Sequence, residues 1–181
     1  MPELPKGTKQ SPSIKARALR LLSLREFSRK DLKNKLLEAV KTQIKINKSK
    51  GLIHLDIEQE TKSKETEIEV VLDDFEARGW LSDLRFAEAL VRSRSPRYGL
   101  RKIQNELQKS GVDLEKTGKL LRELKETEYV RAHALWLKKF GVIGANQKEK
   151  GRQYRFLVSK GFGSDIVSKI IEGNRTRGIT E

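Results

Sequence analysis

Apolar residues along this chain fall mostly at three- and four-residue spacings, and three stretches repeat one another. Phe27, Leu32 and Leu36 have the spacing of Tyr98, Ile103 and Leu107, and of Phe162, Val167 and Ile171. A small residue follows each aromatic: Ser28, Gly99 and Gly163. An aromatic closing one helix, a small residue opening the next, and apolar positions four apart describe a helix-turn-helix corner. Three such corners predict helical modules.

Between the corners the pattern predicts the remaining elements. Ser13 caps a helix from Ile14 bearing Ala18, Leu19, Leu21 and Leu22. Ser28 caps the next, with Asp31 at its third position as the acidic half of a capping box. Ile44 and Ile46 then alternate with polar residues, as do Leu55 and Ile57, around Lys48-Ser49-Lys50-Gly51. Period two on both sides of a turn predicts a β-hairpin insertion at 41–64, a disordered basic-then-acidic insertion being the alternative.

Helical spacing returns at Ile68, Val71, Leu72 and Phe75. Gly79 is placed as a C-cap, and Trp80 and Leu81 can fold back. Ser82 opens a helix burying Phe86, Ala87, Leu90 and Val91, which Pro96 and Gly99 end. Asp113 is expected to cap a helix through Leu114, Thr117, Leu120, Leu121 and Leu124. Gly118 inside that helix would cost about 1 kcal/mol relative to Ala. From Thr127 a helix is expected to carry Val130, Ala134, Leu135, Leu137 and Phe140 as its apolar positions, with two more over 147–159 and 164–171.

Charge changes this picture from a fold to a surface. Lys and Arg number 39 against 25 Asp and Glu, a net charge of +14 over 181 residues. Residues 1–50 hold 14 basic and 4 acidic side chains, whereas 51–84 hold 3 and 10. Such an excess favours polyanions or acidic proteins as partners, and the acidic segment can pair with basic neighbours. Cysteine is absent, and no apolar run approaches the roughly 20 residues that span a bilayer. A cytoplasmic protein without cofactor or metal is expected.

Catalysis finds little support. His54 and His133 lie far apart without a metal-ligand pattern, and Asp73, Asp74 and Glu76 crowd a segment that reads as a solvated helix face. The binding candidates are three basic clusters. Arg92, Arg94, Arg97, Arg101 and Lys102 surround the central corner, with Arg85 before them. Arg17, Arg20, Arg25, Arg29, Lys30 and Lys33 mark the first corner, and Lys138, Lys139, Lys148, Lys150, Arg152 and Arg155 the third. Like charges around one bend repel, and an anionic partner relieves them.

The stretch Asp74-Phe75-Glu76-Ala77-Arg78-Gly79-Trp80-Leu81-Ser82-Asp83-Leu84-Arg85-Phe86-Ala87 resembles the RecX family of bacterial recombination regulators. The likeness extends through Val91-Arg92-Ser93-Arg94, Gly99, Ile103, Glu106-Leu107 and Gly111, and to Lys138-Lys139-Phe140, Arg155-Phe156-Leu157 and Gly161-Phe162. The resemblance implies an all-α, elongated array of three tandem three-helix modules, here 14–80, 81–126 and 127–173 between a flexible leader (1–13) and tail (174–181). The insertion at 41–64 departs from the family pattern.

It also implies a monomeric, non-enzymatic regulator that binds RecA filaments on single-stranded DNA and suppresses recombinase, coprotease and ATPase activities. Arg85, Arg92, Arg94 and Arg101 are the central residues it points to. The alternative is a double-stranded DNA-binding helix-turn-helix protein placing helix 99–109, with Arg101, Lys102, Gln104 and Asn105, in the major groove.

Overall fold

A computed structural model describes residues 12–49 and 57–173. Among these the chain is entirely helical: α1 (Ile14–Leu22), α2 (Arg29–Ser49), α3 (Ile57–Ala77), α4 (Asp83–Arg94), α5 (Leu100–Lys109), α6 (Gly118–Glu126), α7 (Glu128–Lys139), α8 (Gln147–Ser159) and α9 (Ser164–Ile171). The chain divides into two compact units, Met1–Ser82 and Asp83–Glu181.

In the first unit α1, α2 and α3 share one core of Ile14, Ala18, Phe27, Leu32, Leu36, Ile68, Leu72, Phe75 and Leu81. The caps are the expected ones: Ser13 Oγ accepts from Ala16 N at 3.2 Å, and Ser28 Oγ from Asp31 N at 3.0 Å. After Gly79 the chain folds back, with Trp80 N donating to Phe75 O at 2.8 Å and the two rings meeting edge to face.

The hairpin expected at 41–64 does not form. Residues 41–49 continue α2, and 57–64 open α3; the centre of the proposed turn, with His54 and Leu55, lies outside the described residues, as do the leader 1–11 and the tail 174–181. Leu32, Leu36, Val40 and Ile44 recur every four residues, so α2 prolongs its packed face by more than a turn. Ile44 is buried, whereas Ile46 is 41 % exposed. Two apolar residues two apart lie on one side of a strand but on opposite sides of a helix. A lone ribbon would also be marginal, while extended helices gain a partner along their length.

That partner is antiparallel. Arg29, at the start of α2, meets Glu69, Asp73 and Glu76 of α3 at 2.6–2.7 Å, and Lys33, one turn on, meets Glu65 and Glu69 at 2.9 and 2.7 Å. The acidic run of the sequence is thus one rail of this pair, and Arg29 and Lys33 of the first corner are the other.

The second unit holds two cores. Phe86, Ala87, Val91, Ile103, Leu107, Val112, Leu121 and Leu124 bring together α4, α5 and α6. Ala132, Trp136, Leu157, Phe162, Val167, Ile170 and Ile171 bring together α7, α8 and α9. The repeated corner falls between the first two helices of the first and second groups, but between the last two of the third, where α7 precedes it.

Two expectations fail here. Residues 114–117 form turns, and α6 starts at Gly118, so this glycine opens the helix instead of weakening its interior; the buried Thr117 hydroxyl donates to Leu114 O at 3.1 Å. In α7, Leu135 and Phe140 pack against the core as expected, but Ala134 is exposed, Val130 and Leu137 are 68 % and 52 % exposed, and Ala132 and Trp136 are buried instead. Both faces of this helix are apolar, and the interleaved residues won because the Trp136 indole N–H finds a buried acceptor, Gln153 Oε1, at 3.0 Å.

Candidate binding surface

The central corner is built by a close approach of two backbones. Gly99 N donates to Lys160 O at 3.0 Å and Arg101 N to Gly161 O at 3.2 Å, so the start of α5 rests on the α8–α9 turn. Gly99 leaves no room for a side chain: a Cβ there would overlap the Gly161 carbonyl and the Phe162 amide. Gly161 is doubly constrained, by a φ of +88° and by Lys102 Cβ, which would lie 2.6 Å from an added methyl.

Two residues of α7 complete the joint. The buried Glu128 carboxylate accepts from Leu100 N at 3.0 Å, capping α5 from another helix where its own cap, Gly99, offers no side chain. Arg131 donates to Ser95 O, Tyr98 O and Leu124 O, each at 2.8 Å, satisfying carbonyls exposed where α4 and α6 end. Burial lowers its pKa and neighbouring Glu128 opposes that, leaving a charged guanidinium. The sequence signals neither role, because both partners are backbone groups distant in the chain.

On this joint lies a continuous track of cations and rings. Lys102 Nζ sits 4.4 Å from the Tyr98 ring centre, with Arg94 at 6.0 Å. Lys160 is 5.5 Å from both Tyr98 and Phe156, and Lys139 is 4.1 Å from Phe156 and 5.9 Å from Phe140. Phe140 and Phe156 meet edge to face at 5.5 Å. Among the described residues Lys102, Lys139 and Lys160 form no ion pair. Beside them Arg101, Lys102, Asn105, Glu106 and Lys109 of α5 line, with Val158 and Ser159 of α8, a groove of about 440 Å³.

The track gathers only part of the predicted set. Arg94, Arg101, Lys102 and Lys139 belong to it or to the groove, and Lys160 was missed although it immediately precedes Gly161. Arg94 is also paired, through Nε to Glu106 at 2.9 Å. Arg92, Arg97, Lys138, Arg152 and Arg155 are exposed elsewhere on the second unit, and Arg85 is half-buried on α4.

In the first unit, Arg17 is half-buried, Arg20, Arg25 and Lys30 are exposed, and Arg25 lies over the Phe27 ring at 3.8 Å. Arg29 is different. Burial draws its pKa down, yet Asp73, Glu69 and Glu76 outweigh this and hold it well above its ordinary value. Its charge is spent inside the fold. Among the described residues no group of three acidic or histidine side chains could hold a metal, and no helix is long and apolar enough to cross a membrane.

Comparison with known proteins matches this architecture. Residues 82–115 match the family model described as RecX, second three-helix domain, and residues 126–171 the one for the third. A protein of Ralstonia pickettii named Regulatory protein RecX is 37 % identical over 165 residues, covering 91 % of this chain and 90 % of that one. Its namesake in Leptothrix cholodnii is 36 % identical over 88 % and 87 %, and that in Neisseria gonorrhoeae 37 % over 91 % and 92 %. The crystal structure of RecX from Lactobacillus salivarius aligns with a TM-score of 0.59 at 19 % identity, over 88 % of this chain and 92 % of that one, a likeness of fold.

Proposed function

The chain belongs to the RecX family of regulatory proteins, and on that premise we propose that it binds RecA filaments on single-stranded DNA and inhibits their recombinase, coprotease and ATPase activities. It does so as a cytoplasmic monomer, stoichiometrically and without chemistry of its own. The observation that carries this reading is the cation–ring track on the second unit, where Lys102, Lys160 and Lys139 are held in a row with no carboxylate partner among the described residues. Aligned ammonium groups at the surface suit a long polyanionic assembly better than a single small anion. Each exposed contact contributes under about 1 kcal/mol, but contacts on one joined body share a single entropic cost. The exposed Arg20, Arg25, Lys30, Arg92, Arg97, Arg152 and Arg155 and the half-buried Arg17 are further contacts to protein or phosphate in this proposal.

The double-stranded DNA alternative fits the geometry less well. A recognition helix enters the major groove with its N-terminal residues foremost, whereas the start of α5 rests on the α8–α9 turn, through Gly99 N to Lys160 O and Arg101 N to Gly161 O. A strand-exchange assay titrated with the protein tests the proposal: exchange should fall in proportion to protein added, and binding to a preformed filament should weaken steeply with salt. Sequence-dependent binding to duplex DNA without RecA, with strand exchange unaffected, would favour the alternative.

A further inference from the structure

The segment between α7 and α8 presents apolar side chains to solvent while its backbone is held in place. Val142 is 73 % exposed and Ile143 38 %. Gln153, itself buried, donates to Val142 O at 2.9 Å and accepts from Trp136 Nε1 at 3.0 Å, tying the segment to the core. Glu149 accepts from Ala145 N at 2.8 Å, and Asn146 from Glu149 N at 2.9 Å. Gly144 is buried against Glu149, where a Cβ would lie 2.6 Å from that residue's own.

Phe140, Val142, Ile143 and Ala145 wall a cavity of about 290 Å³, with Arg152 at its edge. That volume is at the low end of ligand pockets and suits one large side chain. The pocket lining carries one acid and one base: Glu149 accepts from the Ala145 amide through Oε2, whereas Arg152 forms no ion pair among the described residues, and Lys148, exposed on the same helix outside the lining, leaves this stretch net positive.

We propose that this pocket docks an acidic segment of a partner protein, an aliphatic or aromatic side chain entering between Phe140 and Ile143 while a neighbouring carboxylate meets Arg152. A pre-ordered loop loses little freedom on binding, and a central apolar anchor with a charged edge is how small interfaces concentrate their affinity. The site is distinct from the cation–ring track in what it recognises: protein side chains, not phosphate. It rests on the reading of the RecA filament as the partner and names a protein contact within it.

The test compares wild-type protein with Val142→Ser, Ile143→Ser, Arg152→Glu and, as a charge control, Lys148→Glu. Binding is measured by anisotropy to RecA filaments on single-stranded DNA and to the same DNA alone, with thermal melting as a check on folding. Val142 is exposed enough for its serine variant to fold. The proposal expects Val142→Ser, Ile143→Ser and Arg152→Glu to weaken filament binding roughly tenfold, beyond any effect of Lys148→Glu, with binding to bare DNA unchanged. Wild-type protein that binds filaments while Val142→Ser and Arg152→Glu bind as well as Lys148→Glu would overturn the pocket alone. An equal loss on bare DNA would also overturn it, by making the site a nucleic-acid contact. Failure of the wild type to bind filaments would overturn both readings.

Discussion

Replacing Gly99 with alanine isolates the joint between the α4–α6 and α7–α9 cores. Gly99 has φ −79°, which alanine adopts freely, so backbone strain contributes nothing and the effect is steric. The added methyl would overlap the Gly161 carbonyl and the Phe162 amide, and backbone groups cannot swing aside as a side chain would. Relief requires the two turns to separate. Separation breaks the bonds from Gly99 N, Leu100 N and Arg101 N to Lys160 O, Glu128 and Gly161 O. Three bonds at about 0.5–1.5 kcal/mol each give a loss of about 1.5–4.5 kcal/mol. In a unit of this size, at about 4–8 °C per kcal/mol, a mid-range loss of about 3 kcal/mol lowers the melting temperature by roughly 12–24 °C.

Gly118→Ala is the matched control. No atom lies within 4 Å of a Cβ there and the residue opens α6, so alanine should be neutral or stabilise by up to about 1 kcal/mol. Urea and thermal unfolding report the energies, and amide hydrogen exchange at Gly99, Leu100 and Arg101 reports the joint. If Gly99→Ala melts like Gly118→Ala and keeps those amides protected, the close approach of the two turns is wrong.

Further outcomes follow from the charged groups. Arg131→Met should destabilise the second unit by about 2–4 kcal/mol, because it strands three carbonyls and the buried Glu128; a double-mutant cycle with Glu128→Gln should show coupling. Arg29→Ala should cost the first unit about 1 kcal/mol, discounted for the partial exposure of its partners, and leave filament affinity unchanged apart from that loss. Lys33, then Arg29, holds Glu69 below the usual carboxylate range against the effect of burial. A depressed carboxyl stabilises above its unfolded value of about 4.3 and loses that contribution as pH falls through the lower folded value. Chemical unfolding at pH 7 and at pH values below 4 should therefore show an acid loss in wild type that Glu69→Gln diminishes. Reversing Arg92, Arg94 and Arg101 to Glu should weaken filament inhibition with the helical circular dichroism retained; unchanged inhibition by the folded variant would remove those residues from the interface.

The parts of the fold that depend on local rules were legible in the sequence. Ser13 and Ser28 cap helices as their hydroxyls require, α8 and α9 span the expected residues, and the buried Leu32, Ile103 and Val167 sit where the repeat puts them. The all-helical class and the family were legible too, but the insertion was misread, because Ile44 and Ile46 satisfy period two as well as they fit α2. In α7 two apolar faces compete, and only the partner for the Trp136 indole decides between them. The basic clusters were visible as charge, yet which cations remain free was not. Arg29 is consumed by acids 40 to 47 positions away, while Lys160 joins Lys102 and Lys139 through a turn that no local pattern announces.

The proposed filament contact rests on the row of ammonium groups across the joint meeting a polyanion, and the salt dependence of filament binding measures that most directly. Affinity of wild type and of Lys102→Gln/Lys160→Gln for RecA filaments on single-stranded DNA should be followed between low and physiological salt. Loss of two phosphate contacts should flatten the slope of log affinity against log salt by about 1.4, at roughly 0.7 per contact, with the fold unchanged. A double variant with the wild-type slope and affinity would contradict the claim.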